Sequence, residues 1–260
     1  MHVGKVKERL ETSFVGKPLI YYRRVSSTND VGKELAKKGV TEGTVILAET
    51  QTKGRGRLGR KWVSPSGGLW FSLILRPKIK PKDLPQLTFM AATAIAKTLR
   101  SLYKLRAQIK WPNDILVNNR KVCGILTEGH TINETVEFTV VGVGINVNLE
   151  VKAFPSTIRS IATSLQKELG KSVDREKLLC SLLMQIENSY LTWRKEGFKS
   201  ILKEFRTLSM FLGKHVKISV FDERIMGIAE DLDETGALIV RLPDGTRKKI
   251  LVGDLEILEL

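Results

Sequence analysis

Two short segments carry the residues best suited to chemistry, and the first is residues 54–62. It reads Gly-Arg-Gly-Arg-Leu-Gly-Arg-Lys-Trp and places three arginines among three glycines. Glycine lets main-chain N–H groups approach an anion closely, and the planar guanidinium binds carboxylate and phosphate through paired hydrogen bonds. The segment therefore predicts a loop that holds an acid and a phosphate together, as the joining of a carboxylic acid to ATP requires.

The same letters also match the dinucleotide-binding pattern G-x-G-x-x-G. That pattern needs a helix opening at its third glycine and an acidic residue about 20 positions later. Here Pro65, Gly67 and Gly68 follow the loop, and residues 74–80 contain no acid. The context excludes a dinucleotide-binding site, which leaves a basic surface turn as the alternative to an anion-binding loop.

The second segment is Lys110-Trp111-Pro112-Asn113-Asp114, with Lys121 a few residues beyond. Pro112 restricts Trp111 to extended geometry and ends a strand there. Asp114 is a candidate to hold a magnesium ion or an attacking lysine amine. Lys110 or Lys121 is a candidate to neutralise a carboxylate that attacks an α-phosphate. The alternative is a surface turn with an ordinary ion pair.

The elements that must position these segments follow from periodicity and turn residues. Alternating and β-branched patterns predict strands at residues 19–25, 44–49, 69–75, 107–110 and 136–147, and a hairpin of 115–118 with 122–127 around Asn119-Arg120. Asn29 or Asp30 is expected to cap a short helix that stops at Gly39, and the clearest helix covers residues 83–103. A helix pair follows Asp174 and includes residues 198–205.

From residue 213 the pattern changes to short strands separated by Asp222-Glu223, Asp233-Glu234 and Asp244-Gly245, which predict a small closed β-barrel. The predicted fold class is therefore α+β. Its mixed-sheet catalytic domain covers residues 1–212, and the small C-terminal β-barrel covers residues 213–260.

Composition limits the function classes. The formal net charge of +15 is compatible with nucleic acid, an acidic partner protein or an anionic substrate. The densest basic stretch, residues 76–82, lacks base-stacking aromatics and is typical of a solvated strand end. Neither the two cysteines nor the three histidines have metal-ligand spacing. The longest weakly polar stretch, residues 87–96, is half a membrane span, which predicts a cytoplasmic protein.

Taken together, the motifs resemble the biotin–protein ligase family over nearly the whole chain. Residues 16–29 look like its opening Ser-Thr-Asn segment, 49–62 like its biotin loop, and 110–128 like its Lys-Trp-Pro-Asn-Asp hairpin. The order continues with residues 142–146, with Ile-Ala-Thr-Ser-Leu at 161–165, and with a C-terminal barrel that resembles a Src-homology-3 fold. The resemblance implies a catalytic domain of the biotin/lipoate ligase type.

By motif position, the resemblance also implies site residues. Those expected to bind biotin are Ser27, Thr28, Asn29, Gln51, Arg55, Gly56, Arg57, Lys121 and Gly124. Those expected on the ATP side are Arg55, Arg57, Arg60, Trp62, Asn113 and Asn146. The expected catalytic residues are Arg57, Lys110, Asp114 and Lys121, with Asp114 also the expected Mg²⁺ ligand. Helix capping is the alternative role for Ser27 and Thr28.

The implied reaction has two steps, with ATP and biotin as substrates. Biotin is first activated as biotinyl-5′-AMP, and a lysine of a biotin carboxyl carrier domain of a carboxylase or decarboxylase then takes it. We expect a homodimer and no specific DNA binding, since about 25 residues precede Ser26, too few for the helix-turn-helix domain that some members carry. Two alternatives stay open: a lipoate or octanoate ligase, and a non-catalytic protein that holds biotin or its adenylate.

Overall fold

The computed structural model describes residues 1–150, 152 and 154–258. Within them, seven strands form one mixed sheet with the spatial order β1-β2-β3-β7-β6-β5-β4. These strands are β1 Leu19–Val25, β2 Val45–Gln51, β3 Leu69–Leu75, β4 Gln108–Lys110, β5 Asp114–Val117, β6 Arg120–Ile132 and β7 Thr135–Ile145. The β1 and β2 strands run parallel, and every other neighbouring pair is antiparallel.

Six α-helices accompany the sheet in the described chain: α1 Val3–Arg9, α2 Thr28–Lys37, α3 Pro85–Tyr103, α4 Leu165–Leu169, α5 Arg175–Glu196 and α6 Phe198–Leu208. Successive strand residues point to opposite faces of the sheet, so the side chains of each buried strand pack into two hydrophobic cores. Ile46 and Ile74 join Ala36 of α2 in a small cluster on one face. Leu47 and Leu73 join the large core beneath α3, α5 and α6 on the other. Covering on both faces explains why every residue of β3 is buried.

The long predicted helix is confirmed as α3, which begins after a 3₁₀ turn at Pro81–Asp83 and ends at Lys104 in the left-handed region. Eleven of its 19 residues are buried, so it is a central part of the large hydrophobic core. The predicted cap of α2 was wrong. The helix begins at Thr28 with Ser27 at its N-cap, because residues 27–29 already turn inward toward the sheet.

The predicted hairpin forms, but its turn is one residue earlier than expected. Asn118 and Asn119 occupy the turn with φ of 50° and 59°, and Arg120 is already paired with Val117. Asparagine tolerates the left-handed region, and two consecutive positive φ angles favour a two-residue hairpin turn. The returning strand also extends beyond its predicted end, to Ile132.

The C-terminal strands form a separate antiparallel sheet with the order β11-β10-β9-β8-β12. They are β8 His215–Val220, β9 Glu223–Leu232, β10 Leu238–Arg241, β11 Arg247–Ile250 and β12 Asp254–Ile257. The first turn of this sheet lies at residues 221–222, one residue before the predicted position. The fold class is confirmed, and the boundary predicted at residues 212 and 213 falls in the connection between α6 and β8. Within the described chain, no helix combines the length and hydropathy that a membrane span needs.

Candidate active site

A cavity of about 420 Å³ opens over β6 and β7, beneath the loop that follows β2. Asp254 and Leu255 of the C-terminal sheet complete its wall, so both domains contribute to it. Every site residue that the sequence predicted lines this one cavity, from Ser27 on α2 to Asn146 after β7. The structure therefore brings the two motifs together, while the role of each residue stays a prediction.

The floor of the cavity consists of glycines on two neighbouring strands. Gly124 of β6 and Gly144 of β7 are register partners, and Gly142 lies two residues earlier on the same face. A Cβ on Gly144 would lie 2.7 Å from Cε2 of Trp62, and one on Gly124 would lie 3.0 Å from Cζ3 of the same ring. The indole ring can rest on the sheet only because these positions have no side chain. Sequence reasoning assigned no role to Gly142 or Gly144, although alternate glycines in a β-branched strand are a usable signal.

A neutral polar cluster forms one end of the cavity. The backbone N–H and the hydroxyl of Thr28 both donate to Oε1 of Gln51, at 2.8 and 3.1 Å, and Nε2 of Gln51 donates to Ser64 at 2.8 Å. Ser72 Oγ lies 2.6 Å from Oδ1 of Asn29. Ser27 occupies the N-cap but makes no side-chain capping bond, so its buried hydroxyl is not explained by capping. Ser72 was missed, and its signal was a polar residue inside an apolar strand.

Arg55 is anchored by acidic residues of α2 and β6. Its two terminal nitrogens donate to Glu128 at 3.0 and 2.7 Å, and one also donates to Asp30 at 2.8 Å. Glu128 accepts further hydrogen bonds from Asn29 at 2.8 Å and from Lys33 at 3.1 Å. Burial opposes ionisation of Glu128, but these donors hold the pKa of its carboxyl below the usual range. The sequence did not predict Glu128 as a site residue, because no neighbouring residue in the sequence indicates its partners.

Arg57 and Arg60 connect the loop to the C-terminal domain. One terminal nitrogen of Arg57 donates to Oδ1 of Asn113 at 3.1 Å and to the carbonyl of Gly253 at 3.4 Å. Arg60 is paired with Asp254. Burial lowers the pKa of the Arg57 guanidinium, against the opposing effect of Asp254 and other charges, so this cation is partly desolvated inside the cavity wall.

The hairpin carries the ion pair that was expected as the alternative to functional roles for Asp114 and Lys121. Nζ of Lys121 lies 2.7 Å from Oδ1 of Asp114 and 5.1 Å from the centroid of the Trp62 ring. Lys110 lines the same cavity. The amide of Asn146 donates to the carbonyl of Thr163 at 2.9 Å, which fixes the 161–165 segment against the site. The hairpin therefore presents a cation and a carboxylate at one edge of the cavity.

Two buried donors at the cavity have no partner among the described residues. They are Nε1 of Trp62 and Nε of Arg55. Buried polar groups are almost always hydrogen-bonded in native proteins, so unpartnered donors at a cavity indicate a ligand with acceptor atoms. In contrast, Cys123 lies in the large hydrophobic core, where burial raises the pKa of its thiol.

The donor set does not fit a resident metal ion. No group of three histidine, cysteine, aspartate or glutamate side chains forms in the described residues. Asp114, the expected Mg²⁺ ligand, already pairs with Lys121. Proteins usually bind Mg²⁺ through one or two carboxylates together with substrate phosphates, so an ion here needs most of its ligands from elsewhere.

The chain matches known protein families along most of its length. Residues 21–146 match the family model of the biotin/lipoate A/B protein ligase family, and residues 211–258 match the biotin protein ligase C terminal domain. The chain is 36% identical to the bifunctional ligase/repressor BirA of Bacillus subtilis strain 168, over 98% of this chain and 78% of the relative. The chain belongs to the biotin protein ligase family.

Two further relatives agree with this membership. The biotin–[acetyl-CoA-carboxylase] ligase of Paracoccus denitrificans is 36% identical over 85% of this chain and 93% of its own length. The structure of a biotin protein ligase from Aquifex aeolicus in complex with biotin and ATP superposes with a TM-score of 0.78 at 33% identity, covering 94% of this chain and all of that one. The family resemblance predicted from the motifs is confirmed, and this biotin protein ligase carries both family domains.

Proposed function

We propose that this ligase activates biotin with ATP as biotinyl-5′-AMP and transfers the biotinyl group to one lysine of a biotin carboxyl carrier domain. One observation carries the proposal: a single cavity is lined by neutral polar groups, by strand glycines and by cationic side chains, with Asn29 over Gly142 and Lys121 beside Gly124. An uncharged cyclic urea suits the first, the apolar thioether ring fused to it suits the second, and a carboxylate with phosphates suits the third.

Biotin is proposed to occupy the floor and the neutral end. Hydroxyl and amide groups of Ser27, Thr28, Asn29 and Gln51 offer the donors and acceptors that a urea needs, and Gly124 leaves room for the fused rings. Within the described residues, this end of the cavity has no free ionic group. It therefore favours an uncharged urea over a charged head group. Trp62 packs directly on Gly124 and Gly144, so the rings would lie beside the indole ring, whose Nε1 is available to an acceptor atom.

The cationic end is proposed to hold the carboxylate and the nucleotide. Arg57, Arg60 and Lys121 line this part of the cavity, and Asn113 and Asn146 border it. Arg55 and the main chain of Gly56 are proposed to cover the same oxygens from the loop. The terminal nitrogens of Arg55 are paired with Glu128 and Asp30, so its unpartnered Nε is the atom that is available to a ligand.

In the first step a biotin carboxylate oxygen attacks the α-phosphorus of ATP. A new O–P bond forms, the bond to pyrophosphate breaks, and biotinyl-5′-AMP results. Arg57 and Lys121 stabilise the negative charge that grows on the phosphoryl oxygens, and the cavity supplies orientation. The magnesium ion is proposed to arrive with the ATP phosphates, where it would neutralise their charge.

In the second step a carrier lysine amine attacks the carbonyl carbon of the adenylate. An amide bond forms, AMP leaves with the electron pair of the anhydride bond, and the proton that the amine releases passes to Asp114. Asp114 is proposed to exchange its ion pair with Lys121, 2.7 Å away, for the incoming lysine and then to take that proton. Lys110 is proposed as a second cation for the departing AMP.

We also infer a homodimer in the cytoplasm. The seven-residue β1 strand is an edge of the large sheet, and edge strands offer unpaired backbone groups to a second copy. Cys123 and Cys180 are free thiols, as a reducing compartment favours. Sedimentation that gives the monomer mass at all usable concentrations would reject the dimer.

Biotin-dependent exchange of labelled pyrophosphate into ATP tests the first step. Lipoate, octanoate and no acid run in parallel, with magnesium present throughout. Exchange with biotin alone, followed by labelling of an apo-carrier domain, is the expected result. Exchange with lipoate or octanoate would transfer the assignment to those acids, and biotin binding without exchange would indicate a non-catalytic binding protein.

A further inference from the structure

Four exposed apolar side chains form a surface that we name the mouth patch: Leu58, Phe221, Leu251 and Val252. They are 58%, 87%, 71% and 38% exposed. Isolated exposed hydrophobic residues are ordinary, but a group of them at one place marks an interaction surface. These four account for half of the large apolar side chains that are exposed in the described chain.

Contacts and strand register place the four together. Leu58 lies between Arg57, which donates to the carbonyl of Gly253, and Arg60, which pairs with Asp254. The loop tip therefore faces the segment that contains Leu251 and Val252. Across the sheet Asp254 pairs with Ser219, so Phe221 emerges at the same end of β8. The patch spans both domains.

Leu58 and Phe221 have a backbone conformation that is unusual for their residue types. Both have φ in the left-handed region, 55° and 50°, which disfavours every residue with a Cβ and favours glycine or asparagine. At an exposed turn, a polar residue or glycine would relieve both the strain and the contact of an apolar side chain with water. Conformational outliers of this kind concentrate at functional sites.

We propose that the mouth patch docks the folded carrier domain around its acceptor lysine, an inference that rests on the proposed function. Arg57, Asp254 and Leu255 line the cavity and lie beside the patch, so a protein that inserts a lysine into the cavity must cover this face. Arg60 at its border is paired with Asp254, but Lys61 is exposed there, which favours a partner with an apolar contact face and an acidic rim.

A second copy of this chain is the less suitable occupant. Symmetric association here would bring the basic residues Arg60 and Lys61 of one loop toward those of the other, in a chain with a net charge of +15. A copy seated on the patch would also obstruct the cavity that the carrier lysine has to enter.

The test compares the double variant Phe221→Ser/Leu251→Ser with the control Ile132→Ser/Leu191→Ser, whose side chains are 50% and 44% exposed. Neither pair lines the cavity. Three rates are measured: biotin-dependent pyrophosphate exchange, transfer of biotin to hydroxylamine, and transfer to a purified apo-carrier domain of a bacterial acetyl-CoA carboxylase. Hydroxylamine reports attack on the adenylate without a docked protein.

The expected result is a KM for the carrier domain at least about 10-fold higher in the patch variant, with pyrophosphate exchange and hydroxylamine transfer within about 2-fold of wild type. The control should match wild type in all three. An unchanged KM for the carrier domain would overturn the proposal. If the unchanged KM were accompanied by a shift from dimer to monomer, the patch would be assigned to a second copy of the chain. Absence of exchange in the wild type would overturn the proposed function itself.

Discussion

Replacing Gly142 by alanine tests how the polar end of the cavity is built. A Cβ at this position would lie 2.8 Å from Cγ of Asn29 and 3.0 Å from Nδ2, and closer still to Oδ1. Ordinary van der Waals contact begins near 3.4 Å, so Cγ must retreat by about 0.6 Å and Oδ1 by more. A buried strand on one side and α2 on the other leave Asn29 little space for that movement.

The cost follows from the hydrogen bonds that Asn29 makes in its present position. Its Nδ2 donates to the carbonyl of Leu126 at 3.1 Å and to Glu128 at 2.8 Å, and Oδ1 lies 2.6 Å from Ser72 Oγ. A net bond contributes about 1 kcal/mol, and one to a charged group contributes about 2 kcal/mol. Loss of two of the three should lower the free energy of unfolding by about 3 kcal/mol and weaken biotin binding by at least about 10-fold.

Urea unfolding and titration calorimetry with biotin measure both effects. The matched control is Gly142→Ala in an Asn29→Ala background, where the atoms that collide with the new methyl group are gone. There the second substitution should cost less than about 1 kcal/mol, because the two changes act on one contact. Equal costs of Gly142→Ala in both backgrounds would show that the packing of Asn29 on Gly142 does not govern this end of the cavity.

Three further predictions concern the charged groups. Arg57→Ala should lower pyrophosphate exchange and carrier labelling by about 100-fold or more, since it removes a positioned cation, while Lys78→Ala, on the exposed surface, leaves both intact; equal activity of the two variants would contradict the assignment. The folded-state pKa of Glu128 is depressed, so its contribution to stability is complete above about pH 4.3 and is lost as pH falls through the lower folded value. Unfolding curves measured at a series of pH values should therefore show that the free energy of unfolding falls less steeply with decreasing pH in Glu128→Gln than in wild type. Equal declines in the two proteins would contradict this prediction. Asp114→Asn should slow transfer to the carrier by about 10-fold, because the carboxylate proposed to hold the incoming lysine is lost, while the free energy of unfolding changes by less than about 1 kcal/mol; an unaltered single-turnover transfer rate would remove Asp114 from the second step.

The local motifs were predictable because each is a continuous segment with its own chemistry. Residues 54–62 combine glycine with arginine, and the hairpin after Trp111 is fixed by proline and by turn residues. Both segments could be identified without knowledge of any distant partner. The same applies to α3, whose apolar repeat is long enough to identify it.

Partners from distant parts of the chain could not be predicted. Glu128 holds Arg55, and Asp254 holds Arg60, across 73 and 194 residues. Such pairs depend on sheet register and on the seating of the C-terminal domain, which no local pattern encodes. The errors at the cap of α2 and at the hairpin turn have a different cause: neighbouring asparagine, aspartate and serine residues suit those positions almost equally, and tertiary packing selects among them. The turn at residues 221–222 was misplaced because Phe221 adopts a left-handed conformation that its residue type does not indicate.

The glycine floor has a consequence for engineering the range of acids that this enzyme accepts. Glycine cannot be made smaller, so substitution at residues 124, 142 or 144 only reduces the space above the sheet. Libraries aimed at bulkier biotin analogues should leave these codons fixed and diversify the covering side, starting with Trp62. Alanine substitutions in the floor should instead displace Asn29 and Trp62, so they report on the packing of these two residues and not on the size of the acid.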